Sequence, residues 1–132
     1  LTFARPSRPC RVLLSDSYML SGHDAPYPLE DGATLPLRHG LFDDDAIILK
    51  NFERTMTLSA GEGTRGLTLS CPQMRYLGIW HQPKTDAPYV CLEPWASLPS
   101  RQDVVEDLTQ QNDLISLEPG QHYENRWTIT IF

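Results

Sequence analysis

Tyr89-Val90-Cys91-Leu92-Glu93-Pro94-Trp95 is the stretch whose reading decides this chain. Five residues of strand type end on a carboxylate, and a proline follows at once. Proline pushes the residue before it out of the helical region, so Glu93 is expected in extended geometry at a strand end, with Trp95 just beyond. Side chains alternate faces along a strand. Tyr89, Cys91 and Glu93 are therefore expected on one face, with Val90 and Leu92 on the other. A carboxylate near an aromatic ring, a small thiol and an indole is an arrangement that sets an acid against a sugar ring. Taken alone, Glu93 is more readily a capping or salt-bridged glutamate, because most single acidic residues are solvated or paired.

Composition narrows the classes. A length of 132 residues suits one domain with a real core, spanning 1–132, and is too short for two. Hydrophobic residues at 40% and charged residues at 21% describe a globular chain rather than a disordered one. The net charge of −6 argues against nucleic acid and against anionic membrane as partners. No apolar run approaches the ~20 residues of a membrane span, and no signal peptide is expected from the pattern of these residues. Cys10, Cys71 and Cys91 are an odd count without metal-ligand spacing, so they read as reduced, mostly buried thiols in a cytoplasmic setting. The chain begins Leu1-Thr2-Phe3-Ala4-Arg5, as though already inside a strand. That start raises the expectation of a fragment, a processed chain or a partial one.

Working outward, the pattern is β throughout. Leu1 to Ala4 reads as a short strand, ended by Arg5-Pro6-Ser7-Arg8-Pro9. Arg11 to Ser15 and Ser17 to Leu20 read as consecutive or paired strands. Ser21 to Gly40 reads as a long irregular loop, with Leu35-Pro36-Leu37 as apolar anchors. Asp43-Asp44-Asp45 lacks the alternate ligand spacing of a calcium loop and reads as an acidic turn leading into the buried strand Ala46 to Leu49. Arg54 to Ser59 and Gly66 to Ser70 alternate polar and apolar residues, joined by a loop over residues 60–65 into a hairpin. Tyr76 to Trp80 is another strand. Val104 to Leu108 allows at most a short helix, Asp113 to Leu117 reads as a strand, and His122 to Phe132 as a long one. Many short strands punctuated by proline and glycine predict an all-β antiparallel sandwich. Phosphate-binding glycine loops, nucleophile elbows and zinc motifs are absent.

The order Gly78-Ile79-Trp80, then Tyr89 to Trp95, then Leu117-Glu118-Pro119-Gly120 resembles the C-terminal half of aldose 1-epimerase (galactose mutarotase)-like proteins. Leu35 to Phe42 followed by Asp45-Ala46-Ile47-Ile48 fits the same pattern. The resemblance implies an antiparallel sandwich of the galactose mutarotase-like (supersandwich) type, here its C-terminal part, with a sugar on one concave face. It implies no cofactor. It implies acid–base ring opening: a glutamate takes the anomeric hydroxyl proton, a histidine protonates the ring oxygen, and closure on the other face gives the other anomer. Glu93 matches the general base. Asp45, or with a one-residue slip Asp44, matches the aspartate that holds sugar hydroxyls. Trp80 and Trp95 are candidates for the pocket wall, with core packing as the equal alternative.

The resemblance also implies a departure. The acid histidine, a second sugar-binding histidine and an arginine belong N-terminal to the matched region. His23, His39, His81 and His122 do not stand at corresponding positions. His81 reads as an exposed strand-end residue, His23 and His39 as solvated loop residues, and His122 as surface. Two function classes follow. One is a hexose anomer-interconverting enzyme whose acid lies outside this chain, on the N-terminal half or a second subunit, leaving the chain alone inactive or incomplete. The other is a non-catalytic carbohydrate-binding or sensing module on the same fold, since fold alone does not decide chemistry. Arg38, Lys50 and Lys84 are too scattered in sequence to argue for a sugar phosphate.

Overall fold

In Tyr76-Leu77-Gly78-Ile79-Trp80, Leu77 and Ile79 are completely buried while Tyr76 and Trp80 remain partly exposed. That alternation is a strand lying on a core, and the computed structural model shows it inside a two-sheet arrangement. The structure describes residues 1–60 and 63–132. The strands are β1 (Thr2–Phe3), β2 (Cys10–Leu14), β3 (Leu20–Pro26), β4 (Ile47–Lys50), β5 (Thr55–Ala60), β6 (Arg65–Ser70), β7 (Tyr76–Trp80), β8 (Cys91–Trp95) and β9 (Thr128–Ile131). One sheet has the order β1-β5-β6-β9, the other β3-β2-β4-β7-β8, and every pairing between strands is antiparallel. A single 3-10 turn at His39–Phe42 is the only helical element among the described residues. The chain is all-β and forms a β-sandwich.

The core lies between the sheets because each contributes its apolar alternate positions. Phe3, Met56 and Leu69 come from the first sheet, and Ile47, Leu49, Leu77 and Ile79 from the second. The first sheet's outer face is polar: Thr2, Thr57, Thr68 and Thr130 occupy one cross-strand row, and the hydroxyls of Thr57 and Thr68 are hydrogen bonded at 3.0 Å. Leu35 is buried and its carbonyl accepts a hydrogen bond from the Leu1 amino group at 2.9 Å. The expected apolar anchor therefore ties the long connection to the first strand.

Several expectations require correction. The irregular stretch assigned to residues 21–40 begins with strand: β3 runs to Pro26, paired with β2. The residues Ser17 to Met19 form the turn between these strands rather than a strand, with Tyr18 at φ 62°. Asp113 to Leu117 has no strand partner, and the last strand starts at Thr128, not His122. Of the 60–65 loop, Gly61 and Glu62 lie outside the described residues, while Ala60 and Arg65 belong to the paired strands themselves. Only Cys71 among the three free thiols is fully buried; Cys10 and Cys91 are half-buried.

Leu77 fills a closed core, so Leu77→Ala should lower the unfolding free energy by roughly 2–5 kcal/mol in a urea titration. Val105→Ala, at an exposed site, should shift it by less than about 0.5 kcal/mol. Thiol titration separates the cysteines too. The Cys71 thiol donates to the Arg54 carbonyl, and burial raises its pKa against the opposing pull of Arg54. Because the thiolate is the reactive form, Cys71 should react with an aromatic disulfide only when the chain unfolds, well after Cys10 and Cys91.

Candidate functional site

β8 is an edge strand whose only neighbour is β7, with Tyr76 opposite Trp95, Gly78 opposite Glu93 and Trp80 opposite Cys91. Residues directly opposite share a face. Glu93 and Trp95 therefore stand with Tyr76, Gly78 and Trp80 on the outer face of the five-stranded sheet, while Leu92 and Pro94 lie on the core side opposite Ile79 and Leu77. Pro94 is accommodated because an edge strand leaves one side of its backbone unpaired. Glu93 thus sits inside a strand rather than at its end.

Gly78 shapes this face. A Cβ built there would meet the Trp95 ring at 3.0 and 3.2 Å and the Glu93 Cβ at 3.3 Å. The indole lies against the glycine backbone, with the glutamate beside it. A glycine inside a strand commonly marks such a close approach. The neighbouring floor is apolar, since Ile48 pairs with Gly78 and Val12 with Ile48, and both are buried. Farther along, the Lys50 ammonium pairs with the Asp24 carboxylate, and Lys50 stands opposite Tyr76. Glu93 is partly exposed, and its carboxylate has no hydrogen-bond or ion-pair partner among the described residues. It is available to a ligand.

Asp45 joins the same neighbourhood from the acidic turn. Its Oδ1 accepts hydrogen bonds from Trp80 Nε1 at 3.0 Å and from the Ala46 amide at 2.7 Å. The residue has φ 75°, a left-handed conformation that aspartate tolerates better than most side chains. The first bond fixes the Trp80 indole. The two bonds occupy one carboxylate oxygen and leave Oδ2 for another donor. Asp44 is an exposed turn residue, and Asp43 accepts from the Lys84 amide at 3.3 Å. The three consecutive acids therefore serve different partners. Of the expected residues, the fold brings together Glu93, Trp95, Trp80 and Asp45, and leaves Asp44 outside the bonded set.

Two expectations fail nearby. Tyr89 precedes β8, and its ring lies between the two faces, stacked on His81 with centroids 4.9 Å apart and 6.3 Å from the Trp80 ring. His81, expected at the surface, is only 2% exposed. Position 81 continues the inward parity of Leu77 and Ile79, and the turn of residues 82–88 folds over it. Its Nε2 donates to the Ala87 carbonyl at 2.7 Å, while Nδ1 is buried without a partner among the described residues. His39 packs edge-on against it at 4.9 Å and lies 3.8 Å from the Asp86 carboxylate, so it is not simply solvated. These rings border a cavity of about 460 Å³ at one end of the sandwich, walled by Leu37, Phe42, Leu58, Leu67 and Val90. This cavity opens on the core side, and Glu93 is not part of its wall. The free carboxylate on the outer face and this hollow are separate features.

Neither a family model, nor a curated protein, nor a solved structure matches this chain. The reading of the site rests on its own geometry and on the residues that carry the resemblance.

Sequence reasoning missed Gly78 and the burial of His81. Both had a signal: a glycine centred in an apolar strand, and a histidine at the next inward position after Leu77 and Ile79. Gly78→Ala would press on the Trp95 ring, and overpacking of this kind costs about 1–3 kcal/mol. The variant should show a displaced tryptophan emission maximum at full folding. An unchanged spectrum would mean that the indole does not rest on residue 78.

Proposed function

We propose that the outer face of the five-stranded sheet binds a hexose and that Glu93 is the general base of an aldose 1-epimerase-like anomer exchange. The observation that carries the reading is the unpaired Glu93 carboxylate beside the Trp95 indole, over a glycine that leaves room for both. Aromatic faces suit the apolar side of a pyranose, and a carboxylate at its edge accepts hydroxyl protons. Asp45, with one oxygen spent on Trp80, offers the other to a sugar hydroxyl. In this reading Glu93 takes the anomeric proton, the ring bond breaks, the carbonyl end turns, and the proton returns after closure on the other face.

Ring opening also needs a proton on the ring oxygen, and this requirement shapes the partner. His81 and His39 border the cavity at the end of the sandwich, His23 lies on the edge strand β3, and His122 is an exposed residue of the connection before β9. We assign the acid to a histidine outside these residues, on an N-terminal segment or another subunit. The second reading, a hexose-binding module that moves no proton, is favoured by the inward orientation of His81, the histidine next to Trp80.

The readings part on one substitution. Hexose binding is followed by tryptophan emission, and mutarotation of freshly dissolved α-anomer by polarimetry with a histidine-bearing N-terminal half supplied. Glu93→Gln should keep binding and lower the rate by about 10²–10⁴-fold, the usual contribution of a positioned base. Binding with no acceleration in the unsubstituted chain would leave the binding module. Emission that does not respond to any hexose would remove both.

A further inference from the structure

The two sheets have four edges, and three carry a feature that hinders a further strand. β1 is bridged on its open side by Thr34. β3 is bridged at Leu20 by Arg101, and its Asp24 is ion-paired with Lys50. β8 carries Glu93 and Pro94, and proline lacks the donor that a further ladder needs. Charge, proline and covering segments are how natural sheets block edge pairing. β9 has none of these among the described residues: Thr128-Ile129-Thr130-Ile131 is uncharged, as are Trp127 and Phe132 on either side.

The backbone of β9 shows which groups are free. Gly66 and Phe132 exchange both hydrogen bonds, each at 3.1 Å. Hydrogen-bonded pairs alternate along an antiparallel ladder, so Thr128 and Thr130 also turn their amides toward β6. Ile129 and Ile131 turn theirs to the open edge. The same two isoleucines lie on the core side of the sheet, opposite Leu69 and Leu67, yet are 48% and 81% exposed. Free donors, free acceptors and uncovered apolar side chains coincide at these two residues.

We propose that this edge pairs antiparallel with the β9 of a second copy, about a two-fold axis at Thr130. The sequence of β9 sets that register. Shifting it by one residue would face the outward amides of isoleucine with inward-turned threonine amides. Centred on Thr130, Ile129 of each copy meets Ile131 of the other and the outward groups are matched at both ends. On the inner face the isoleucines cover one another, and such cross-strand apolar pairs stabilise sheets. On the outer face Thr130 meets Thr130, which extends the row of Thr2, Thr57, Thr68 and Thr130 into the partner. The contact is isologous and closes on itself, as in most homodimers.

Sedimentation of the 132-residue chain at high micromolar concentration should give twice the chain mass. Ile131→Lys should give the single-chain mass with an unchanged far-ultraviolet spectrum. Register is read by oxidation: Thr130→Cys should yield a disulfide-linked dimer above the background of the native cysteines. Thr128→Cys, which would face Phe132 of the other copy, should not. A single-chain mass for the unsubstituted protein overturns the proposal, and so does a dimer that survives Ile131→Lys. Should that variant fail to fold, the cysteine pair decides: equal linking at both positions, or none at Thr130, overturns the pairing.

Discussion

The structure depends on the strict alternation of side chains along β7. Leu77 and Ile79 fill the centre of the core from one face of the strand, with no exposed surface. Gly78 and Trp80 present the other face to the edge strand that carries Glu93. A slip of one residue would exchange the two sets. It would place an indole and a bare glycine in the core and two large aliphatic side chains where Trp95 now lies. Core packing and site geometry are therefore fixed by the same register. Because the β4 pairing on the other side of β7 is set by Ile47 and Leu49, that register is held from both flanks.

This coupling explains why the outer face is rigid enough to place polar groups. Trp95 is seated against backbone, which does not change rotamer. Trp80 is held by a hydrogen bond to Asp45, and Asp45 is held by the amide of Ala46. The two indoles are thus fixed by their surroundings, while the Glu93 carboxylate beside them has no partner among the described residues. The cavity at the end of the sandwich is a different kind of place. Its walls are mostly aliphatic and aromatic side chains, with Arg38 and Arg65 among them, and the buried His81 Nδ1 lacks a partner among the described residues. An unsatisfied buried nitrogen costs on the order of 1–3 kcal/mol.

The sequence made the central strands legible because they combine alternation with a buried partner on each side. The hairpin of β5 and β6, the strand β7 and the apolar anchor at Leu35 all follow from pattern. The errors share one cause, which is that strand propensity is largely a statement about neighbours. Gly22-His23-Asp24 has little intrinsic strand character, yet pairing with β2 imposes it. Leu114-Ile115 and Tyr123 have the character and no strand to pair with, so they stay irregular. Within the candidate site, the resemblance singles out Glu93, Trp95, Trp80 and Asp45. The burial of His81 could not be named from residue order, because it depends on how the turn of residues 82–88 closes over the core.

One feature of the chain path sets how that β9 strand is held. Residues 96–127 run from the edge of one sheet to the edge of the other with no regular element. They are tied down at a few points, among them the Leu98 amide on Asp113 and the Gln73 side chain on Glu124 and Arg126. The entropy of closing a loop grows only logarithmically with its length, so shortening or lengthening this connection between its ties changes little in free energy. What it does bear on is timing: β9 meets β6 only once this segment has folded back, a non-local pairing of the kind that slows folding.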